Sequence, residues 1–175
     1  MNLKRLKLSI LSIFICLQAI VFAQDSAQIL KAGFIAKFAQ FTNWPSVLKE
    51  QDVFSITVIG KDPIYSVLKT LFQKQKIKGC SVEVNNVHEV GKIDTPHILF
   101  ISKAMASTLD EIVLYAQDKA IMTVSDTEKF GERGVLINFY LTDKGTLHFE
   151  INSRTMKRSP LKINLLLLEI AKVIR

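Results

Sequence analysis

Three short apolar runs limit this chain more than anything else it contains: Phe54–Gly60 (FSITVIG), His97–Ser102 (HILFIS) and Ala120–Val124 (AIMTV). Each is too short for a stable helix and reads as a strand: Phe54–Gly60 is apolar and β-branched and ends at its glycine, and His97–Ser102 and Ala120–Val124 are short apolar runs. His97–Ser102 is of the kind buried on both faces of a parallel sheet, and Ala120–Val124 is another buried strand. Helical patterns separate them. From Ser26 to Thr42, Ile29, Leu30, Phe34, Ile35, Phe38, Ala39 and Phe41 form an apolar stripe opposite Lys31, Lys37 and Gln40. That segment stops at Trp44–Pro45, because the residue before proline avoids the helical region.

Asp62–Pro63 supplies an N-cap and a first-turn proline, opening a helix through about Gln73 with Ile64, Val67, Leu68 and Leu71 inside. Ser81–Val87 alternates and reads as a half-exposed strand at a sheet edge. Ala104–Ala116 is predicted helical, and Thr127–Phe130 a single short helical turn. Val135–Thr142 and Thr146–Ser153 alternate around Asp143-Lys144-Gly145, a β-hairpin whose glycine is available for positive φ. Leu161–Ile174 (LKINLLLLEIAKVI) is dense in apolar residues and is predicted to be a final helix. The order predicts a three-layer α/β domain. Its sheet is mainly parallel, with the C-terminal antiparallel hairpin at one edge and helices on both faces.

Residues 1–23 read as a secretory signal peptide. Lys4, Arg5 and Lys7 form the positive flank, Leu8–Phe22 the apolar core, and Val21 and Ala23 the cleavage site. The apolar run is about fifteen residues, shorter than the roughly 20 that span a bilayer. The expected mature chain, 24–175, is a single domain in the periplasm. It keeps 20 basic and 16 acidic residues once the three signal cations leave, a net charge of +4 against +7 for the whole chain. Its basic residues are scattered without interleaved aromatics, so no nucleic-acid footprint is present. Cys16 departs with the signal, which leaves Cys80 alone and excludes an intramolecular disulfide; a lone cysteine of this kind is usually a buried small hydrophobe, with an intermolecular bridge or a reactive thiol as the alternatives.

The search for chemistry is nearly empty. His88, His97 and His148 have no metal-ligand spacing, and His97 and His148 read as structural histidines. Nucleophile-elbow, P-loop and dinucleotide signatures are absent. No catalytic residue, metal or cofactor is expected. Ligands of open parallel sheets sit beyond the strands' carboxyl ends. There Lys61, Ser102, Lys103, Ser125 and Asp126 would rim a shallow cleft for an anion. The simpler account of the same positions is capping by Asp62, Ser102 and Asp126. Arg133, between Gly131 and Gly134, stands at the sheet mouth. Asn138, Glu150 and Asn152 interrupt the hairpin's apolar faces and could bond to one another or to Arg133.

These segments carry a resemblance. Lys31-Ala32-x-Phe34-Ile35-x-x-Phe38-Ala39-x-Phe41-Thr42-x-Trp44-Pro45 is similar to the opening helix of the YfiR family of exported bacterial proteins. Val58–Pro63, His97–Ser102, Thr123–Asp126, Phe130, Arg133-Gly134, Ile137–Phe139 and Phe149–Asn152 follow in that family's order, over about residues 26–172. The resemblance implies a periplasmic, non-enzymatic regulator that represses a membrane-bound diguanylate cyclase and so lowers cyclic di-GMP and biofilm formation. It also implies relief by an outer-membrane-associated partner. Where the family often has a cysteine before its central strand, this chain has Pro96, and Lys37 stands where many members have Asn; disulfide-based redox sensing does not carry over.

Two classes of function stay open. The first is a regulator bound to a membrane signalling protein, a diguanylate cyclase or sensor kinase, as monomer or homodimer. Its contact residues are expected at Phe41, Trp44, Arg133, Asn138, Glu150 and Asn152, although core packing competes for Trp44. The second is a small-ligand-binding periplasmic domain acting with a transporter or sensor kinase.

Overall fold

The computed structural model describes residues 26–45 and 52–175; the signal-peptide reading lies outside them. A first helix, α1, covers 26–40, and its buried stripe of Ala32, Ile35, Phe38 and Ala39 is the one set by the sequence period. It ends at Phe41, and the chain extends through β1 (Thr42–Asn43) to Trp44. There follow β2 (Val53–Ile59), α2 (Ile64–Phe72), β3 (Ser81–Val87), β4 (Ile98–Ile101), α3 (Leu109–Ala116) and β5 (Met122–Ser125). The hairpin is β6 (Ile137–Leu141) and β7 (Leu147–Asn152), turned at Gly145 with φ +75°.

Seven strands form one sheet in the order β3-β2-β4-β5-β6-β7-β9, where β9 is Lys172–Ile174 near the C-terminus. Strands β2 to β6 are parallel, β6 and β7 antiparallel. The first crossover runs outward to β3 and the second returns past β2 to β4, so the winding reverses between β2 and β4. Along β4 every residue is buried, and alternate side chains enter different layers. Ile98 and Phe100 join α1 and α2 in one core; Leu99 and Ile101 join Leu109, Ile112 and Ala116 of α3 in the other. This is the three-layer architecture expected from the uniformly apolar runs.

The larger core is aromatic at one end. Phe38 is fully buried, with its ring 4.8 Å from Phe149 and 5.6 Å from Phe139 between centroids. Burial of one such ring contributes roughly 1.5–3 kcal/mol, and the edge-to-face and offset pairs add to it. Cys80 is fully buried in this core as a thiol.

Three expectations need correction. Ala104–Ala116 is not one helix: a 3₁₀ turn at Lys103–Met105 precedes α3. Thr127–Phe130 is a hydrogen-bonded turn, closed by Phe130 N–H to Thr127 O, and not a helix. The largest change is at the C-terminus, where Leu161–Ile174 divides into β8 (Lys162–Ile163), α5 (Leu165–Ile170) and β9 (Lys172–Ile174). A six-residue helix, α4 (Ser153–Arg158), precedes it. Two backbone edges outcompete helix continuity: β8 pairs with β1, and β9 pairs parallel with β7, which would otherwise expose its amides and carbonyls. β-Branched Val173 and Ile174 suit that edge. The hairpin therefore stands next to the outermost strand, with β9 beyond it.

Candidate functional site

The carboxyl ends of the parallel strands carry the polar rim. After β2, Gly60 turns with φ +89°, and a Cβ there would lie 2.3 Å from Ser102 Oγ. Lys61 is exposed, and Asp62 Oδ1 accepts the Ile64 amide at 3.0 Å, which opens α2. After β4, buried Ser102 accepts from the Ala104 amide at 3.2 Å, and Lys103 is exposed. After β5, Ser125 Oγ donates to Ile101 O at 2.7 Å and accepts from Thr127 N–H at 3.2 Å. Asp126 is ion-paired with Lys31 of α1. Burial pushes the Asp62 carboxyl up, and the nearby Asp126 charge adds to it; the Ile64 amide and Lys31 pull against both. Capping and turn closure thus already occupy Asp62, Ser102 and Ser125. An open cleft of about 520 Å³ remains beside Lys103 and Asp126.

The hairpin polar residues form a second, buried cluster on the α3 side. Asn138 Nδ2 donates to Glu150 Oε1 at 3.3 Å. Asn152 Nδ2 donates to Gly131 O at 2.8 Å, while its Oδ1 accepts the Thr155 amide at 2.8 Å and caps α4. Gly131 sits close because it has no side chain: a Cβ would lie 2.4 Å from Glu150 Oε1 and 3.2 Å from Asn138 Cβ. Asn152 alone bonds to the 131–134 turn and holds it on the sheet, while Asn138 and Glu150 bond to each other beneath Gly131. Arg133 takes no part. It reaches outward to Asp110 Oδ1 at 2.8 Å and to Ala106 O at 3.3 Å, tying the turn to α3.

At the other end of the sheet, Trp44 and Phe41 separate. Phe41 is 36% exposed, whereas Trp44 is 8% exposed, donates from Nε1 to Ala120 O at 2.9 Å, and meets Phe54 edge-on. Trp44 is a core residue and presents no contact surface. Beside it His97 stacks on Phe54 at 4.5 Å, and its Nδ1 accepts the Ser55 amide at 3.0 Å. That acceptor role requires a neutral ring, so His97 is a structural histidine. Burial pushes the imidazole below its ordinary value, against a smaller upward pull from Asp52.

A histidine held neutral contributes stability above its unfolded value of about 6.5, and loses it as pH falls toward the lower folded value. Denaturant midpoints are therefore expected to drop as pH falls below about 6.5, and His97→Gln to flatten that slope. An unchanged slope in the variant would place the dependence elsewhere.

Among the described residues, no group of three or more His, Cys, Asp or Glu is placed to hold a metal ion. One feature escaped the sequence reading. Arg133, Arg154, Arg158 and Arg175 line a single cleft between α3, the 131–134 turn and α4. Their spacing in the chain shows no motif, although three of the chain's five arginines fall in its last 22 residues.

Comparison with known proteins bears on the whole domain. No curated protein matches the chain. A solved structure described as the ABC domain in complex with L-Trp from Streptococcus pneumonia is similar at 14% identity, with a TM-score of 0.49. The match covers 69% of this chain and 56% of that one, so the chain spans little more than half of its length. The YfiR/HmsC-like family model matches residues 28–172, from the first turns of α1 into β9. That span takes in the aromatic stripe of α1, the buried strands and the hairpin clamp in one continuous alignment, and the chain belongs to the YfiR/HmsC-like family.

Proposed function

We propose that the mature domain is a periplasmic, non-enzymatic regulator that binds the extracytoplasmic part of a membrane signalling protein. The expected target is a diguanylate cyclase, repressed so that cyclic di-GMP output falls, with an outer-membrane-associated partner relieving the repression. Family membership over residues 28–172 is the observation that carries this reading. Export rests on the signal-like residues 1–23. No helix among the described residues is long and apolar enough to cross a membrane.

Regulatory interfaces combine an apolar centre with a polar rim. The C-terminal segment supplies apolar side chains of that kind: Leu165, Leu166, Ile170 and Val173 are each more than half exposed. Phe41 and the hairpin residue Leu141, 65% exposed, extend the candidate surface. Trp44, Asn138 and Asn152 serve it from within, by holding the elements that display it. The ligand-rim alternative at Lys61, Ser102, Lys103, Ser125 and Asp126 is weaker, because capping, turn closure and the Lys31 pair already engage Ser102, Ser125 and Asp126.

The test is capture from detergent-solubilised membranes by the tagged mature domain, paired with cyclic di-GMP measurement in a deletion strain. A co-purifying membrane sensor and raised cyclic di-GMP on deletion are expected. Leu166→Asp and Ile170→Asp, both at exposed positions, should abolish capture while leaving the circular dichroism spectrum intact. If nothing from the membrane is retained and second-messenger levels do not move, the regulator reading is wrong.

A further inference from the structure

Arginine is scarce in this chain, and its placement is uneven. Of five arginines, Arg5 lies in the signal-like segment, and the other four line one cleft of about 250 Å³. No lysine lines it, although lysine is far commoner in the chain. Arg154 and Arg158 stand four residues apart on α4 and so share a face. Like charges at that spacing oppose helix formation, so the arrangement costs the fold stability instead of adding to it.

Counter-charge is incomplete. Arg133 is paired with Asp110. Among the described residues, no carboxylate pairs with Arg154, Arg158 or Arg175. Glu132 is the one acidic side chain in the lining. Against these three arginines the lining sets one side-chain carboxylate, so its side chains carry a positive surplus. The lining adds neutral hydrogen-bonding groups from Gln117 and Thr155, and the Thr155 hydroxyl donates to Gly134 O at 3.0 Å.

We propose that this cleft binds a small phosphomonoester-type dianion. Guanidinium forks match the paired oxygens of phosphate and carboxylate, which a lysine ammonium does not do. A phosphomonoester carries close to two negative charges at neutral pH and presents three acceptor oxygens, enough for three converging arginines. The volume is below the usual 300–1,000 Å³ of sites that enclose a drug-sized molecule. It therefore holds the phosphoryl group and leaves the rest of the ligand outside. The cleft involves Arg133, the residue that ties the 131–134 turn to α3, so an occupying anion would brace that turn against α4. This site is separate from the apolar C-terminal surface, and its test does not depend on any protein partner.

The experiment is isothermal titration of the mature domain with inorganic phosphate, glycerol 3-phosphate and succinate at low ionic strength. Both phosphates are expected to bind saturably at one site, with succinate at least about tenfold weaker. Arg154→Gln and Arg158→Gln should each weaken phosphate binding by about tenfold, and Glu132→Gln should tighten it. Lys144→Gln, on the hairpin turn, should change nothing. All the substituted side chains are exposed, and circular dichroism confirms that each variant is folded. Absence of saturation by about 10 mM would overturn the proposal. So would phosphate binding that survives Arg154→Gln and Arg158→Gln, or succinate binding as tightly as phosphate.

Discussion

Trp44→Ala is expected to destabilise the domain by about 3–5 kcal/mol, the range for deleting a large buried aromatic side chain. The indole is 8% exposed, packs edge-on against Phe54 and lies 5.8 Å from the His97 ring. Its N–H also satisfies the Ala120 carbonyl at the entrance to β5. Removing it leaves a cavity beside Phe54 and His97 and leaves that carbonyl without its donor. Trp44→Phe keeps most of the packing and loses the hydrogen bond, so a loss nearer 1 kcal/mol is expected. Urea unfolding of both variants measures this. A Trp44→Ala variant within about 1 kcal/mol of the parent would return Trp44 to the list of surface contacts. The result also bears on function: lost capture by Trp44→Ala reports unfolding first, and Leu166→Asp or Ile170→Asp are the informative interface variants.

Asn152→Ala is expected to cost about 2–4 kcal/mol, because one side chain holds two elements. Its Oδ1 caps α4 through the Thr155 amide, a role worth about 1 kcal/mol. Its Nδ2 satisfies the Gly131 carbonyl, and a buried acceptor stripped of its partner costs about 1–3 kcal/mol more. Asn152→Asp separates the two. It keeps the acceptor for Thr155 but turns an oxygen toward the Gly131 oxygen, so its loss reports the turn clamp alone. Chemical denaturation of the two variants gives both values. If Asn152→Asp is as stable as the parent, the clamp on the 131–134 turn does not hold the fold together. The neighbouring Asn138–Glu150 bond at 3.3 Å belongs to the same buried cluster, so energies of combined substitutions there should not add.

How far the sequence reading reached follows from the range of the forces involved. Local patterns were legible where a single residue spacing settled the outcome. The stripe of α1, the Asp62 cap, the alternating edge strand β3 and the Gly145 hairpin turn all stand where the side-chain periods and turn chemistry put them. The Leu161–Ile174 reading failed because apolar density has no direction. The same leucines suit a buried helix or a short helix between two strands, and the choice fell to unpaired backbone on β1 and β7.

The candidate sites divide in the same way. The Ser102 cap was legible as a short polar residue after a buried strand; after β5 the cap expected of Asp126 was not, because Ser125 closes that turn and Asp126 pairs with Lys31 of α1, 95 residues away. Asn138, Glu150 and Asn152 were visible as interruptions of an apolar face; that Asn152 holds Gly131 and that none of the three meets Arg133 was not, because the Asn152–Gly131 bond spans 21 residues of chain. By itself the sequence determined the layered α/β class, the strands buried on both faces, the hairpin and the absence of a familiar catalytic motif. Those properties depend on neighbours a few residues apart. Only the tertiary structure decided that Trp44 turns inward, that the C-terminus closes two sheet edges, and that four arginines scattered from 133 to 175 converge on one cleft. Each of these depends on contacts between residues far apart in the chain, for which no spacing rule exists.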